Sequence, residues 1–410
     1  MKKQYSIEEI IEILEKEVLL GDDVIVAIRG EDGKANFLGE ARAEFFEIFE
    51  QDENAEIILW LVPKYSVEFS KGTEKMSTGT EDVSKILGCG AELVSIKDIE
   101  QLMAEIRRVN GVYLKEGGLL LVGDDLDEMI RIGKIMEKAA LVFVESKQFG
   151  GIKPIKNERA EENYKKYNDY KKHNKNEIKE TECDDLQEAQ IIEEVDAKVS
   201  LERDSNEALD SEENLKRQIL EVGKALVKKN MEIVPNGIIS AKLDREWILI
   251  TPYGKSYNEL QLDDVVKVNI SKDKKTAEMK NEDIAVVKHI IEEDVHMKIY
   301  EMDSKAKAVI SASGIYSGVF ASTGKTLPIL SKEMKTAVNG PLSVLKDWKS
   351  EEKIPLLATQ IMKEYDTKAV LVENYGIVNY GDDLQEVLKG VETIDGCASK
   401  YLNRLKGNFA

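Results

Sequence analysis

Residues 111–144, GVYLKEGGLLLVGDDLDEMIRIGKIMEKAALVFV, and residues 369–402, AVLVENYGIVNYGDDLQEVLKGVETIDGCASKYL, align without a gap at an offset of 258. Each reads as an apolar strand, a glycine-containing turn and a second apolar strand. Gly123-Asp124-Asp125-Leu126 and Gly381-Asp382-Asp383-Leu384 then open a helix, with Asp382 or Asp383 as N-cap in the second copy. A further block upstream repeats at an offset of 251: EIFEQDENAEIILWLVPKYS (47–66) against KIYEMDSKAKAVISASGIYS (298–317). Two ordered blocks with one small length change indicate a duplicated unit. Strands alternating with helices predict an α/β layer fold.

Outward from these blocks, the second copy has helical periodicity over 215–229 and 282–302, a strand at 246–251 and helices at 354–365 and 383–402. The first copy starts late, with no clear counterpart of the helix at Leu215. Between the copies, residues 157–214 contain neither Gly nor Pro. From Ile178 to Asn214 there are fourteen Asp/Glu against three Lys/Arg, a net of -11 out of -20 for the chain. Such composition buries too little apolar surface to offset the entropy of ordering, so a charged, disordered or weakly helical linker is expected. The expected organisation is a shortened domain over 1–155, a linker over 156–212 and a fuller domain over 213–410.

The net charge of -20 argues against nucleic acid and against anionic lipid as partners. No stretch approaches the roughly 18 apolar residues of a membrane span. Three dispersed cysteines, Cys89, Cys183 and Cys397, suit a reducing compartment, and a cytoplasmic location is expected.

The second copy, from about Leu215 to Leu402, resembles the class II aldolase/adducin family. GIISAK (237–242) stands at the family's phosphate-binding turn, ITPYG (250–254) at its TPSG, and Glu292-x-x-x-His296-x-x-Ile299-Tyr300 at its E-x-x-x-H-x-x-I-Y helix. AVISASGIYS (308–317) stands at the strand ending in His-x-His, and VENYGIVNYG (372–381) at ExHG…G. Through the repeat, the first half shares the resemblance from about Asn36 to Ser146.

The resemblance implies a three-layer α/β/α aldolase-like domain, present twice. It also implies a lyase or epimerase of sugar phosphates using zinc held by three histidines, with a glutamate as acid/base. Position by position, the histidines fall on Ser311, Ser313 and Tyr375, and in the first copy on Trp60, Val62 and Gly117. None of these is a good zinc ligand. With only His173, His289 and His296 in the chain, no cofactor is expected. Glu292 is the one surviving catalytic candidate, and its equivalent in the first copy is Ala41. His289, Glu292 and His296 share a helical face, and a metal there is a competing reading.

Candidate ligand-binding residues are Asn236, Ser240, Thr251, Gly254, Ser311, Ser313 and Tyr375, with Tyr253, Tyr316 and Tyr375 crowding the same pocket. The expected function is a binding or assembly module that has lost metal-dependent catalysis, in a homo-oligomer. The alternatives are an aldehyde-lyase or epimerase acting on a sugar phosphate, and a sensor of a small phosphorylated metabolite.

Overall fold

The computed structural model describes residues 5–17, 24–30, 35–181, 207–270, 277–278, 295–346 and 351–407. The first half runs α1 (Ile7–Lys16), β1 (Ile25–Arg29), β2 (Ala35–Leu38), α2 (Ala43–Gln51), β3 (Ile57–Leu61), α3 (Lys64–Ser70), β4 (Met76–Ser77), α4 (Glu81–Leu87), β5 (Gly90–Ala91), β6 (Leu93–Val94), α5 (Ile99–Val109), β7 (Gly111–Leu114), β8 (Leu119–Gly123) and α6 (Leu126–Ser146). Helix α7 (Asn157–Thr181) follows. The second half runs α8 (Glu207–Lys228), β9 (Ile238–Lys242), β10 (Trp247–Ile250), β11 (Val266–Asn269), β12 (Ala277–Glu278), α9 (Val295–Met302), β13 (Ala308–Ala312), α10 (Ser317–Thr323), α11 (Lys332–Val338), β14 (Ser343–Leu345), α12 (Ile354–Glu364), β15 (Ala369–Val372), β16 (Gly376–Gly381) and α13 (Leu384–Gly407).

The central strands are unbroken apolar runs because helices cover both faces of each sheet. In the first half, β3 and β8 point Leu59, Leu61, Leu119 and Leu121 toward α1, α3, α4 and α6. Ile58, Trp60, Leu120 and Val122 point toward α2 and α5. In the second half, α8, α10, α11 and α13 cover one face and α9 and α12 the other. Each half is therefore a three-layer α/β/α domain.

The two sheets share one topology. The first is ordered β2-β1-β3-β8-β7-β6, and the second contains β10-β9-β13-β16-β15-β14, extended past β10 by β11 and β12. Register agrees as well as order. Ile57 pairs with Gly123 as Ala308 pairs with Gly381. Leu93 pairs with Tyr113 in parallel, as Val344 pairs with Leu371. These partners are related by the two sequence offsets, 251 and 258, so the seven-residue difference is taken up between β6 and β7.

The repeat reaches further toward the N-terminus than sequence similarity indicates. Strand β1 lies between β2 and β3 as β9 lies between β10 and β13. An opening helix is present too. It has 10 residues against 22 in α8, and a Ser6/Glu9 capping box fixes its start.

Two interactions recur in both halves. Glu137 on α6 accepts from the Tyr65 and Ser66 amides at 2.8 and 2.9 Å and from the Ser66 hydroxyl at 2.6 Å. Asp395 on α13, at the matching position, accepts from the Tyr316 and Ser317 amides at 2.9 and 2.8 Å and from the Ser317 hydroxyl at 2.8 Å. Both carboxylates satisfy the unpaired amides that open α3 and α10. Gly118 and Gly376 turn the chain between the paired strands with φ of 84° and 140°. A Cβ there would lie 2.1 Å from the Leu61 carbonyl oxygen and 2.4 Å from that of Ala312.

The expected linker does not begin at residue 156. Asn157–Thr181 is helical, and Ala160 and Tyr167 are buried. The Tyr164 hydroxyl donates to the Arg108 carbonyl at 2.5 Å, and the Asn163 amide donates to Ser84 Oγ at 2.9 Å. Helix α8 also opens inside the expected linker, at Glu207. Residues 182–206 lie outside the described residues.

Substituting Gly376→Ala should therefore cost about 2–4 kcal/mol in urea unfolding, from backbone strain plus collision with a carbonyl. Gly396→Ala, on α13 with open space around the added methyl, should gain about 0.5–1 kcal/mol from helix propensity.

Candidate functional site

Ser311 lies on β13 facing α9. Its hydroxyl is 2.9 Å from His296 Nε2. His296 Nδ1 is 2.8 Å from Ser240 Oγ, which is 3.0 Å from the Tyr300 hydroxyl. Ser240 and His296 are fully buried. The imidazole thus uses both nitrogens on serine hydroxyls within the layer between sheet and helix. Thr251 is equally buried, and its hydroxyl accepts from the Ile239 amide at 3.0 Å. Ser240 and Thr251, read from sequence as a ligand cradle, are enclosed and joined to protein groups.

Ser313 receives a cation from the other half. Lys138 Nζ on α6 is 2.7 Å from the Ser313 carbonyl, 3.0 Å from its hydroxyl and 2.6 Å from Asp82 Oδ2 on α4. Both charged side chains are 1% exposed. Burial raises the Asp82 pKa, but the adjacent ammonium outweighs it and holds the carboxyl below its ordinary value. Tyr375 lies under the Arg159 guanidinium of α7, 5.5 Å from the ring centre, and Arg159 pairs with Glu81. In the first half, Trp60 Nε1 donates to the Gly117 carbonyl at 2.8 Å, and the Arg42 guanidinium lies 4.5 Å over the indole. Val62 packs on the same cluster.

All six residues at the expected metal positions are thus spoken for by protein contacts. A serine hydroxyl is a poor zinc donor, and an ammonium on Ser313 repels a divalent cation, so the residues present do not fit a metal ion. Among the described residues no group of three His, Cys, Asp or Glu could hold one. Glu292 and His289 lie outside the described residues.

Asn236 belongs to a second junction between the halves. Its Oδ1 accepts from the Tyr253 hydroxyl at 3.4 Å. Lys85 on α4 reaches across to donate to the Pro235 carbonyl, with its ammonium 4.7 Å from the Tyr253 ring centre. Glu232 is buried close by. Among the described residues neither of its oxygens meets the strict hydrogen-bond geometry, though the amides of Asn236, Tyr257 and Gly237 lie close enough to favour the carboxylate. Burial pushes this carboxyl up to about 8, against the pull of those amides and of Lys85. Burial pulls Lys85 down to about 8, against Asp82 and Glu232.

The three tyrosines expected to crowd one pocket are separated. Tyr253 and Gly254 line a cleft of about 400 Å³ against α7. Tyr316 lines a different cavity of about 380 Å³ with Tyr65 and Lys138. Tyr375 lines neither.

Residues 217–402 match the class II aldolase and adducin N-terminal domain family. An L-fuculose phosphate aldolase of Methanococcus maripaludis is 24% identical over 196 residues, covering 47% of this chain and 97% of its own. A solved L-fuculose 1-phosphate aldolase is 23% identical at a TM-score of 0.41, covering 48% of this chain and 88% of its own. The L-fuculose-1-phosphate aldolase of Thermus thermophilus is 18% identical at a TM-score of 0.41, over 48% and 99%. The second half carries a class II aldolase-like domain. The family match leaves the first half outside it.

The joining residues Lys85, Lys138, Asp82 and Arg159 escape a motif search because they belong to no motif. Lys138 left one trace: it interrupts an apolar helix face between Ile135 and Leu141, opposite Gly396 in the repeat.

Two outcomes follow from these buried charges. Lys138→Met strands the Asp82 carboxylate and should cost about 3–5 kcal/mol in urea unfolding. Adding Asp82→Leu should restore a large part of that loss, since the pair then leaves together. Glu232, with its folded pKa raised, binds a proton more tightly when folded. Its contribution is complete below the ordinary carboxylate range and is lost as pH rises through about 8. Lys85, with its folded pKa lowered, is penalised below about 8 and relieved above it. The fall in melting temperature from pH 5 to pH 8 should therefore be shallower in Glu232→Gln than in the parent chain.

Proposed function

We propose that this chain is a fused pair of class II aldolase-like domains without metal-dependent catalysis, acting as a binding or assembly module. The shared strand order and register support reading the first half as a second copy. The observation that carries the functional proposal is the Lys138 ammonium on Ser313. It sets a fixed positive charge, held by Asp82, on a residue that the resemblance places among the metal ligands. The hydrogen bonding of Ser311 to His296 and of Trp60 to Gly117 supports the same view. An aldehyde-lyase or epimerase reading would need a donor set that two serines and a tyrosine do not supply.

Elemental analysis of the purified full chain should find divalent metal well below one ion per chain. Aldol cleavage of L-fuculose 1-phosphate should be absent with or without added zinc. Stoichiometric zinc that a chelator removes, together with cleavage that it abolishes, would overturn the proposal.

A further inference from the structure

The cleft beside Tyr253 is built from three parts of the chain. Helix α4 contributes Lys85, α7 contributes Asn163, Lys166, Tyr167 and Tyr170, and the turn after β10 contributes Pro252 to Lys255. Pro235 and Asp264 complete its wall. Its volume of about 400 Å³ suits a small molecule. Three tyrosine rings and two prolines give it flat apolar sides. Three lysines line it: Lys255 pairs with Asp264 at 2.7 Å, Lys166 pairs with Glu162 on the exposed side of α7 at 2.7 Å, and Lys85 donates to a carbonyl. With Asp82 held by Lys138 and the Glu232 carboxyl pushed up to about 8, the Lys85 ammonium leaves positive charge at the inner end of the cleft in a chain of net charge -20, and such a field attracts anions.

Lys85 is 6% exposed, so its charge acts with little solvent screening. An ammonium carries three donors, and this one makes its hydrogen bond to the Pro235 carbonyl. Gly254 has a φ of 86°, and none of the described residues lies within 4 Å of where its Cβ would be, so a ligand can approach the backbone there.

We infer that this interdomain cleft binds a planar aromatic anion, its ring between Tyr253 and the tyrosines of α7 and its carboxylate or phosphate toward Lys85 and Lys166. This deepens the binding-module reading and rests on it. Ring stacking and charge pairing are separate contributions, so removing either should weaken binding without abolishing it.

Calorimetric titration of the full chain with para-nitrophenyl phosphate, para-nitrobenzoate, inorganic phosphate and benzamide tests this. Both aromatic anions should bind at least about tenfold more tightly than inorganic phosphate or neutral benzamide. Comparing the two anions distinguishes a phosphate from a carboxylate ligand. Tyr170→Ala and Lys166→Gln should each weaken both anions about fivefold or more, and Lys166→Gln should leave the melting temperature within a degree or so. Lys166 is 74% exposed, so its replacement does not threaten folding. Failure of both anions to bind, equal binding of benzamide or inorganic phosphate, or indifference to both variants would overturn the inference. Metal content is read separately, so a metal-free chain that binds no aromatic anion would leave the loss of catalysis standing and remove only this site.

Discussion

The Lys138 ammonium is the charge around which the two halves are arranged. Removing an ammonium from water costs several kcal/mol unless its donors are met. Lys138 has three donors and three acceptors within 3.0 Å: Asp82 Oδ2, the Ser313 carbonyl and the Ser313 hydroxyl. Asp82 is fixed in turn by the Val83 amide at 2.9 Å. One charge therefore ties α4, α6 and the end of β13 to a single geometry. Around it, the Asn374 amide donates to the Gly79 and Lys153 carbonyls at 2.8 and 2.9 Å. The Glu81 amide donates back to the Asn374 carbonyl at 2.9 Å. The turn that carries Asn374 and Tyr375 is thus held by the other domain.

The two halves share a backbone and have divided the chemistry of their junction. Interactions common to both, such as Glu137 on Ser66 and Asp395 on Ser317, close each domain on itself. The contacts of Lys138 and Asp82, which the other copy lacks, join the domains. Opposite Lys138 stands Gly396, and opposite Asp82 stands Glu333, at the exposed start of α11. Most cations at the junction come from the first half and α7: Lys85, Lys138, Lys153 and Arg159. Their partners in the second half are a carbonyl, a serine, the Glu373 carboxylate at 2.7 Å and the Tyr375 ring. Lys406 paired with Glu145 runs the other way. A surface that pairs so unequally cannot pair equally well with its own kind, so the division favours the partner already tethered in the same chain.

Much of the fold was legible because the same periodicity and punctuation recur in both halves. The Gly-Asp-Asp-Leu signal places both final helices, and the Asp125 and Asp383 carboxylates accept from the Glu128 and Glu386 amides at 3.1 and 2.8 Å. The apolar runs of β3, β8, β13 and β16 lie at the centres of their sheets. Less of the candidate site was legible. Sequence places Ser240 in the phosphate-turn motif and Ser311 at a histidine position, and nothing in either motif announces that His296 joins them. Ser313 reads as a lost ligand, and nothing local to it announces a lysine 175 residues away. The α1–β1 extension was missed for a different reason. Pairing conserves strand order and register there, where side-chain identity has been lost.

Helix α7 shows where composition misleads. Its sequence is too polar to form a core, which is why it reads as a solvated linker. Tyrosine and lysine, however, bury their carbon while their polar ends reach partners. Ala160, Tyr164, Tyr167 and Lys171 fall at i, i+4, i+7 and i+11, one face of a helix. That face lies on α4, with the Lys171 ammonium 5.6 Å from the Tyr167 ring centre and paired to Glu128. The same helix carries Arg159 to Glu81 and Tyr375, and Tyr170 to the cleft. A flexible tether would only keep two domains near each other. A helix packed on one domain, with its side chains set into the other, fixes their relation and supplies one wall of the cleft between them.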